Sequence, residues 1–122
     1  MDKRVKILIV EDEVLSAMSL QQDLKRSGYA NCSYVTSGEK ALDSMAKEKS
    51  DLVLTDVSLA GTMSGVDTAE KIIPEYKIPV IIYSGYDYSD IGEKIEQLKG
   101  AHFLRKPLRR TELVSLISSL PG

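Results

Sequence analysis

A single cysteine, Cys32, is present, so no disulfide can form within the chain, and a reducing, cytosolic setting is expected. Cys32 reads as a small apolar filler. Long hydrophobic runs are missing too. Met1-Asp2-Lys3-Arg4 leads into six mostly apolar residues, too few for a signal peptide or a membrane span. A soluble, cytoplasmic protein with no membrane partner is expected. Basic charge is not massed into a stripe. The net charge is -2, and the one local cluster is Arg105, Lys106, Arg109 and Arg110. That argues against direct nucleic-acid binding. His102 is the only histidine, it falls inside an apolar run, and no cysteine or second histidine accompanies it as a ligand. No G-x-G-x-x-G follows the first apolar run, which disfavours a dinucleotide-binding enzyme.

What the 122 residues do contain is a repeating pattern. Apolar runs at Val5–Val10, Ala30–Val35, Leu52–Thr55, Pro79–Tyr83 and His102–Leu104 have strand length. Three of them are almost continuously apolar, as strands covered on both faces are. Helix-period segments separate them. The first spans Glu13 to Ser27, with Ala17, Met18, Leu20 and Leu24 on its stripe and Gly28 at its end. The second starts at Thr36 or Ser37, with a capping box from Thr36 and Glu39. The third runs from near Ser64 to about Pro74, because proline breaks a helix interior. The fourth lies between Asp87 and Lys99, stopped by Gly100; the fifth puts Leu113, Leu116, Ile117 and Leu120 on one face. Five βα repeats imply an α/β fold, a parallel sheet with right-handed crossovers.

Ligands of such sheets sit beyond the carboxyl ends of the strands. Those ends carry Glu11 and Asp12, then Asp56, then Ser84, then Lys106. Singly, each has an ordinary explanation: a helix start, a cap, a turn, a loop. Together they form a coherent chemical set. Clustered carboxylates attract a hard divalent cation, and Mg²⁺ suits one or two carboxylates completed by waters and phosphate oxygens. A carboxylate so placed can attack a phosphoryl donor, with a lysine and a hydroxyl stabilising the equatorial oxygens.

The chain resembles the receiver domains of two-component response regulators. The likeness runs from Val5 to Leu120 through VKILIVEDE, LVLTDVSLAG, GVDTA, IPVIIYSGY and HFLRKPL. It implies one flavodoxin-like, doubly wound (βα)5 domain over residues 1–122, with strand order 2-1-3-4-5. By resemblance Asp56 is the phosphoacceptor and the residue modified. Asp12 and Asp56 bind Mg²⁺ directly, Glu11 through water, and Ser58 through its backbone carbonyl. Ser84 is the switch hydroxyl and Lys106 the phosphoryl-binding lysine, followed by a cis bond to Pro107. Phe103 is the aromatic that changes rotamer, and Gly85 leaves room for the phosphoryl group. The resemblance implies a signalling switch that catalyses only its own phosphorylation and dephosphorylation. Its donor is a sensor histidine kinase or a histidine phosphotransfer protein, and its output is a downstream protein or a fused domain.

The pattern has departures. Ala60 stands where the family commonly has proline, the loop to Gly65 is one residue longer, and Ser84 and Phe103 replace the commoner Thr and Tyr. Ser58 and Tyr86 occupy positions that tune hydrolysis, and a bulky Tyr86 would hinder the attacking water. Tyr83, Tyr86 and Tyr88 crowd one segment, either as packing around the fourth helix or as part of a partner-binding face. Two other classes share the acidic pattern. A phosphatase with an aspartate nucleophile needs a second acid two residues on, where this chain has Ser58. A phosphorylation-independent module would not need Glu11, Asp12, Asp56, Ser84 and Lys106 together.

Overall fold

The computed structural model describes residues 1–59, 61–85 and 92–121. Its elements alternate: β1 (Ile7–Val10), α1 (Val14–Arg26), β2 (Cys32–Val35), α2 (Gly38–Lys47), β3 (Leu52–Asp56), α3 (Gly65–Tyr76), β4 (Val80–Ser84), α4 (Gly92–Gln97), β5 (Ala101–Arg105) and α5 (Arg110–Ser119). The five strands form one sheet in the order β2-β1-β3-β4-β5, and every pairing is parallel. This is the flavodoxin-like doubly wound order the sequence led us to expect.

Two-faced burial explains the apolar strands. Successive side chains point to opposite faces. Ile7, Ile9, Leu52, Leu54, Ile81 and Tyr83 join Leu20, Leu24, Leu113 and Ile117, which come from α1 and α5. Leu8, Val10, Val53, Val80 and Ile82 join Ala41, Met45, Val66, Ile72 and Ile95 from α2, α3 and α4. Each fully buried Leu or Ile contributes about 1.5–3 kcal/mol of transfer free energy. The strands are therefore fixed by the layers above and below, not by β propensity alone.

Several local expectations change. Met18 is 51% exposed, because it lies one residue, about 100° of helix, from Ala17. The buried stripe of α1 is Ala17, Leu20 and Leu24. Gly28 does end α1, at φ +99°, with the Tyr29 N–H bonded to the Leu24 carbonyl at 2.9 Å. Ser37, not Thr36, caps α2, accepting from the Lys40 N–H at 3.1 Å. Glu39 turns instead to the Thr62 hydroxyl at 2.9 Å. The capping box forms at α3, between Ser64 and Asp67. Pro74 lies inside α3, which continues to Tyr76. Pro74 gives up its own N–H and its ring crowds the carbonyl four residues back, yet the helix runs two residues further and closes through the Lys77 N–H on the Ile73 carbonyl at 2.8 Å. α5 buries Leu113 and Ile117 as expected, with Leu116 packed at the margin; Leu120 is buried too, but as the extended residue just past the helix end. The expected start of the fourth helix, at Asp87, lies outside the described residues. Among those residues no helix is long and apolar enough to cross a membrane.

The Ser50 hydroxyl is fully buried at the entry to β3 and has no hydrogen-bond partner among the described residues. A buried hydroxyl without a partner costs about 1–3 kcal/mol. Ser50→Ala is therefore expected to raise unfolding stability by about 1 kcal/mol, read as a shift of the urea midpoint at unchanged slope. A loss of stability would show that the hydroxyl is satisfied.

Candidate functional site

Register brings the chemistry to one edge. Val10 pairs with Thr55, Asp56 with Tyr83, and Ser84 with Arg105. Glu11 and Asp12 therefore leave β1 beside Asp56, and Lys106 leaves β5 beside Ser84. β1 leads into α1 on one face of the sheet, whereas β3 leads into α3 on the other. The chain diverges there, and a crevice opens at such a switch point.

Asp56 ends β3 with only 6% exposure. One carboxylate oxygen, Oδ2, receives the Lys106 ammonium at 2.5 Å. The other, Oδ1, accepts the Ser58 N–H at 3.0 Å. The backbone there is tightly held. The Val57 N–H reaches the Tyr83 carbonyl at 3.0 Å, and the Gly65 N–H reaches the Val57 carbonyl at 2.8 Å. A side chain at Gly65 would place its Cβ 1.8 Å from the Asp56 carbonyl oxygen. Only glycine lets α3 begin so close to the end of β3.

Glu11 is 3% exposed. Its Oε2 accepts the Glu13 N–H at 3.1 Å and its Oε1 the Tyr83 hydroxyl at 3.5 Å. Burial pushes its pKa up to about 7; the Glu13 N–H opposes this, and Asp12 and Asp56 add to it. Burial works against the charge of Lys106, but the hydrogen bond and charge of Asp56 outweigh it and raise its pKa. Ser84 is 1% exposed, and its carbonyl accepts the Lys106 N–H at 2.9 Å. Hydroxyl strand and lysine loop are thus joined by their backbones. The Lys106–Pro107 bond is cis. Among the described residues, a Cβ at Gly85 would meet the Lys106 stem at 3.9 Å, an ordinary van der Waals contact. Phe103 is half-buried, opposite Ile82 on β4 and packed against the α2–α4 side.

The donor set suits a hard cation. Two buried carboxylates, Glu11 and Asp56, share one adjacent ammonium; burial is what chiefly holds a proton on Glu11, and the nearby Asp12 and Asp56 add to it. No group of three or more His, Cys, Asp or Glu side chains could by itself hold a metal ion among the described residues. Mg²⁺ does not need such a cage, since it keeps several waters and takes one or two carboxylates. An open groove of about 660 Å³ runs from Glu11, Tyr83 and Lys106 along Leu15, Leu20 and Leu108.

Every expected site residue lies at this edge, apart from Phe103, which stays within β5. Tyr86 and Ala60, expected to affect hydrolysis and the loop, lie outside the described residues, as does Tyr88. Two residues had not been assigned site contacts. Gly65 was visible only as part of GVDTA; the signal was a glycine just after a capping serine, where helix propensity disfavours it. Tyr83, grouped with a partner-binding face or helix packing, is instead 2% exposed and turned towards Glu11.

Comparison with known proteins agrees with this fold. The family model described as the response regulator receiver domain matches residues 7–118. The transcriptional regulatory protein PdtaR of Mycobacterium tuberculosis is 28% identical over 112 residues, 92% of this chain and 54% of that protein. The chain thus spans about half the length of the curated relatives it matches. The CheY-like receiver domain structure from Methylobacillus flagellatus superposes with a TM-score of 0.84 at 27% identity, covering 95% of this chain and 98% of that one. The receiver domain of PhyR from Erythrobacter litoralis gives 0.79 at 27% identity, covering 98% and 95%.

Proposed function

The chain belongs to the response regulator receiver domain family of two-component systems, and on that footing we propose that Asp56 is its phosphoacceptor and that phosphorylation there throws the switch. The observation that carries this is the Lys106 ammonium seated on a buried Asp56 carboxylate at the carboxyl edge of a parallel sheet. A carboxylate oxygen of Asp56 attacks the phosphorus of a phosphohistidine on a sensor kinase or phosphotransfer protein. The P–N bond breaks, and the leaving imidazole takes up a proton. Lys106 then transfers its contact from the carboxylate to a phosphoryl oxygen, and the Ser84 hydroxyl donates to another. Asp12, Asp56 and the Ser58 carbonyl, with Glu11 through water, are the groups that would hold Mg²⁺. When bound, the cation neutralises charge on the carboxylates and on the phosphoryl oxygens.

Ser84 and Lys106 share a backbone hydrogen bond. A pull on the Ser84 hydroxyl would therefore reach β5 and Phe103, shifting the population of two surface states. The same pocket accelerates the attack of water on the phosphoryl group, so the chain sets its own dephosphorylation. A downstream protein or a fused output domain would read the altered surface. The reaction fits a cytoplasmic setting, where Cys32 stays reduced.

The test is direct. The protein is incubated with Mg²⁺ and a small acyl phosphate or phosphoramidate, and its intact mass is measured. A single labile phosphoryl adduct is expected, absent in Asp56→Asn. No adduct with several donors would overturn the reading.

Metal binding should also depend on pH. Without metal, Glu11 holds its proton up to about pH 7. That contribution to folding is present in acid and is lost as pH rises through about 7. Mg²⁺ must displace the proton, so its affinity should fall as pH drops below about 7. Calorimetry in buffers of differing ionisation enthalpy should show proton release near pH 6 and almost none at pH 8. Equal release at both would remove Glu11 from the site.

A further inference from the structure

Tyr83 stands in a strand whose preceding residues are Val80, Ile81 and Ile82. Its ring is buried on the α1–α5 side of the sheet. β4 does not pair with β1, since β3 lies between them. The Tyr83 hydroxyl nevertheless crosses under the end of β3 and meets Glu11 Oε1 at 3.5 Å. The same ring lies under the Lys106 ammonium, 5.5 Å from its centroid, within the range of a cation–π attraction. The Tyr83 carbonyl holds the residue after Asp56, and the next residue is Ser84. One residue thus touches the acid from β1 and the lysine after β5, and borders the aspartate and the hydroxyl between them.

The Glu11 carboxylate has two oxygens and needs a donor on each. The Glu13 N–H supplies one, at 3.1 Å, and the Tyr83 hydroxyl faces the other across a long 3.5 Å contact. Glu11 is 3% exposed, so bulk water is a poor substitute for either. Burial raises the phenol's pKa, with Glu11 and Asp56 adding to it, so the hydroxyl remains a donor. We propose that Tyr83 is a positioning residue of the phosphorylation site: its hydroxyl sets the direction in which Glu11 presents its carboxylate to a divalent cation, and its ring holds Lys106 over Asp56. This rests on the phosphoacceptor reading above.

Tyr83→Phe removes one oxygen and keeps the ring. The Mg²⁺ dissociation constant should rise about 10-fold, the low end of the range for loss of a group that orients a metal ligand. The protein should stay folded, with its unfolding midpoint in EDTA lowered because a buried acceptor has lost its donor; the dependence of the Mg²⁺ effect on Glu11 separates positioning from packing. In a Glu11→Gln background the same substitution should leave Mg²⁺ affinity unchanged, because the group it orients has lost its charge. Tyr83→Leu, which also removes the ring, should in addition slow labelling by acyl phosphate. Mg²⁺ affinity within twofold of wild type in Tyr83→Phe, or an equal loss in the Glu11→Gln background, overturns the role of Tyr83. Failure of the wild type to bind Mg²⁺ or to take up phosphoryl groups overturns the phosphoacceptor reading itself.

Discussion

Gly65→Ala is expected to destabilise the protein by about 3 kcal/mol and to abolish labelling of Asp56, although alanine is the better helix former. The two effects on helix and packing have opposite signs, and their sizes decide between them. Exchanging glycine for alanine at a helix position favours the fold by at most about 1 kcal/mol. The added carbon would stand 1.8 Å from the Asp56 carbonyl oxygen, 2.7 Å from its carbonyl carbon and 3.0 Å from the Thr55 hydroxyl. Two of these atoms belong to the backbone of a central strand paired on both sides. No rotamer change relieves that contact, so β3 or α3 must move. Either movement displaces the residue that receives the phosphoryl group. Denaturant unfolding measures the first loss and intact mass after acyl phosphate treatment the second. Gly85→Ala is the control for stability alone, since among the described residues its nearest neighbours are the Lys106 stem carbons at 3.9 Å. Stability of Gly65→Ala within about 0.5 kcal/mol of wild type would refute the argument.

Lys106→Met should move two properties in opposite directions. Methionine keeps much of the stem and removes the charge. The rate of labelling by acyl phosphate should fall about 10²- to 10³-fold, the usual effect of losing one donor to a developing anion. Mg²⁺ should bind several-fold more tightly, because the ammonium at 2.5 Å competes for the Asp56 carboxylate. The ion pair itself adds little to folding. The lysine side chain is 40% exposed, which limits its worth to about 1 kcal/mol. A variant that had merely unfolded would lose both properties. Weaker Mg²⁺ binding alongside slower labelling would therefore show that Lys106 holds the site together rather than opposing the cation.

Much of this site was legible in the sequence because parallel βα order converts sequence position into place. Once Val5–Val10, Leu52–Thr55 and Pro79–Tyr83 are taken as strands, Asp12, Asp56 and Ser84 must emerge at the same edge. Contacts between non-adjacent strands were less visible. Nothing in Ile81-Ile82-Tyr83 says that the third side chain reaches past β3 to Glu11. The close approach at Gly65 is likewise a property of two backbones meeting. Competition between near-equal local signals accounts for other differences. Thr36 and Ser37 both cap helices, and Ser37 prevailed while Glu39 bonded to Thr62, 23 residues away. At Pro74 the general rule against helix-interior proline placed the end of the helix two residues early, since the chain stays helical to Tyr76.

The loop between β3 and α3 is secured at separate points. The Ser58 N–H is tied to Asp56, the Thr62 hydroxyl to Glu39, and Ser64 to Asp67 by reciprocal capping. Seen as a record of descent, these ties divide the segment into parts with different freedom to change length. A residue gained between Ser58 and Thr62 costs little closure entropy and leaves the flanking anchors where they are. A residue gained before Ser58, or after Ser64, would break an anchor and shift the phosphoacceptor or the helix packed against it. The extra residue of this chain can lie in the tolerant stretch. Lineages carrying this fold should therefore vary in length there and remain fixed in length on either side.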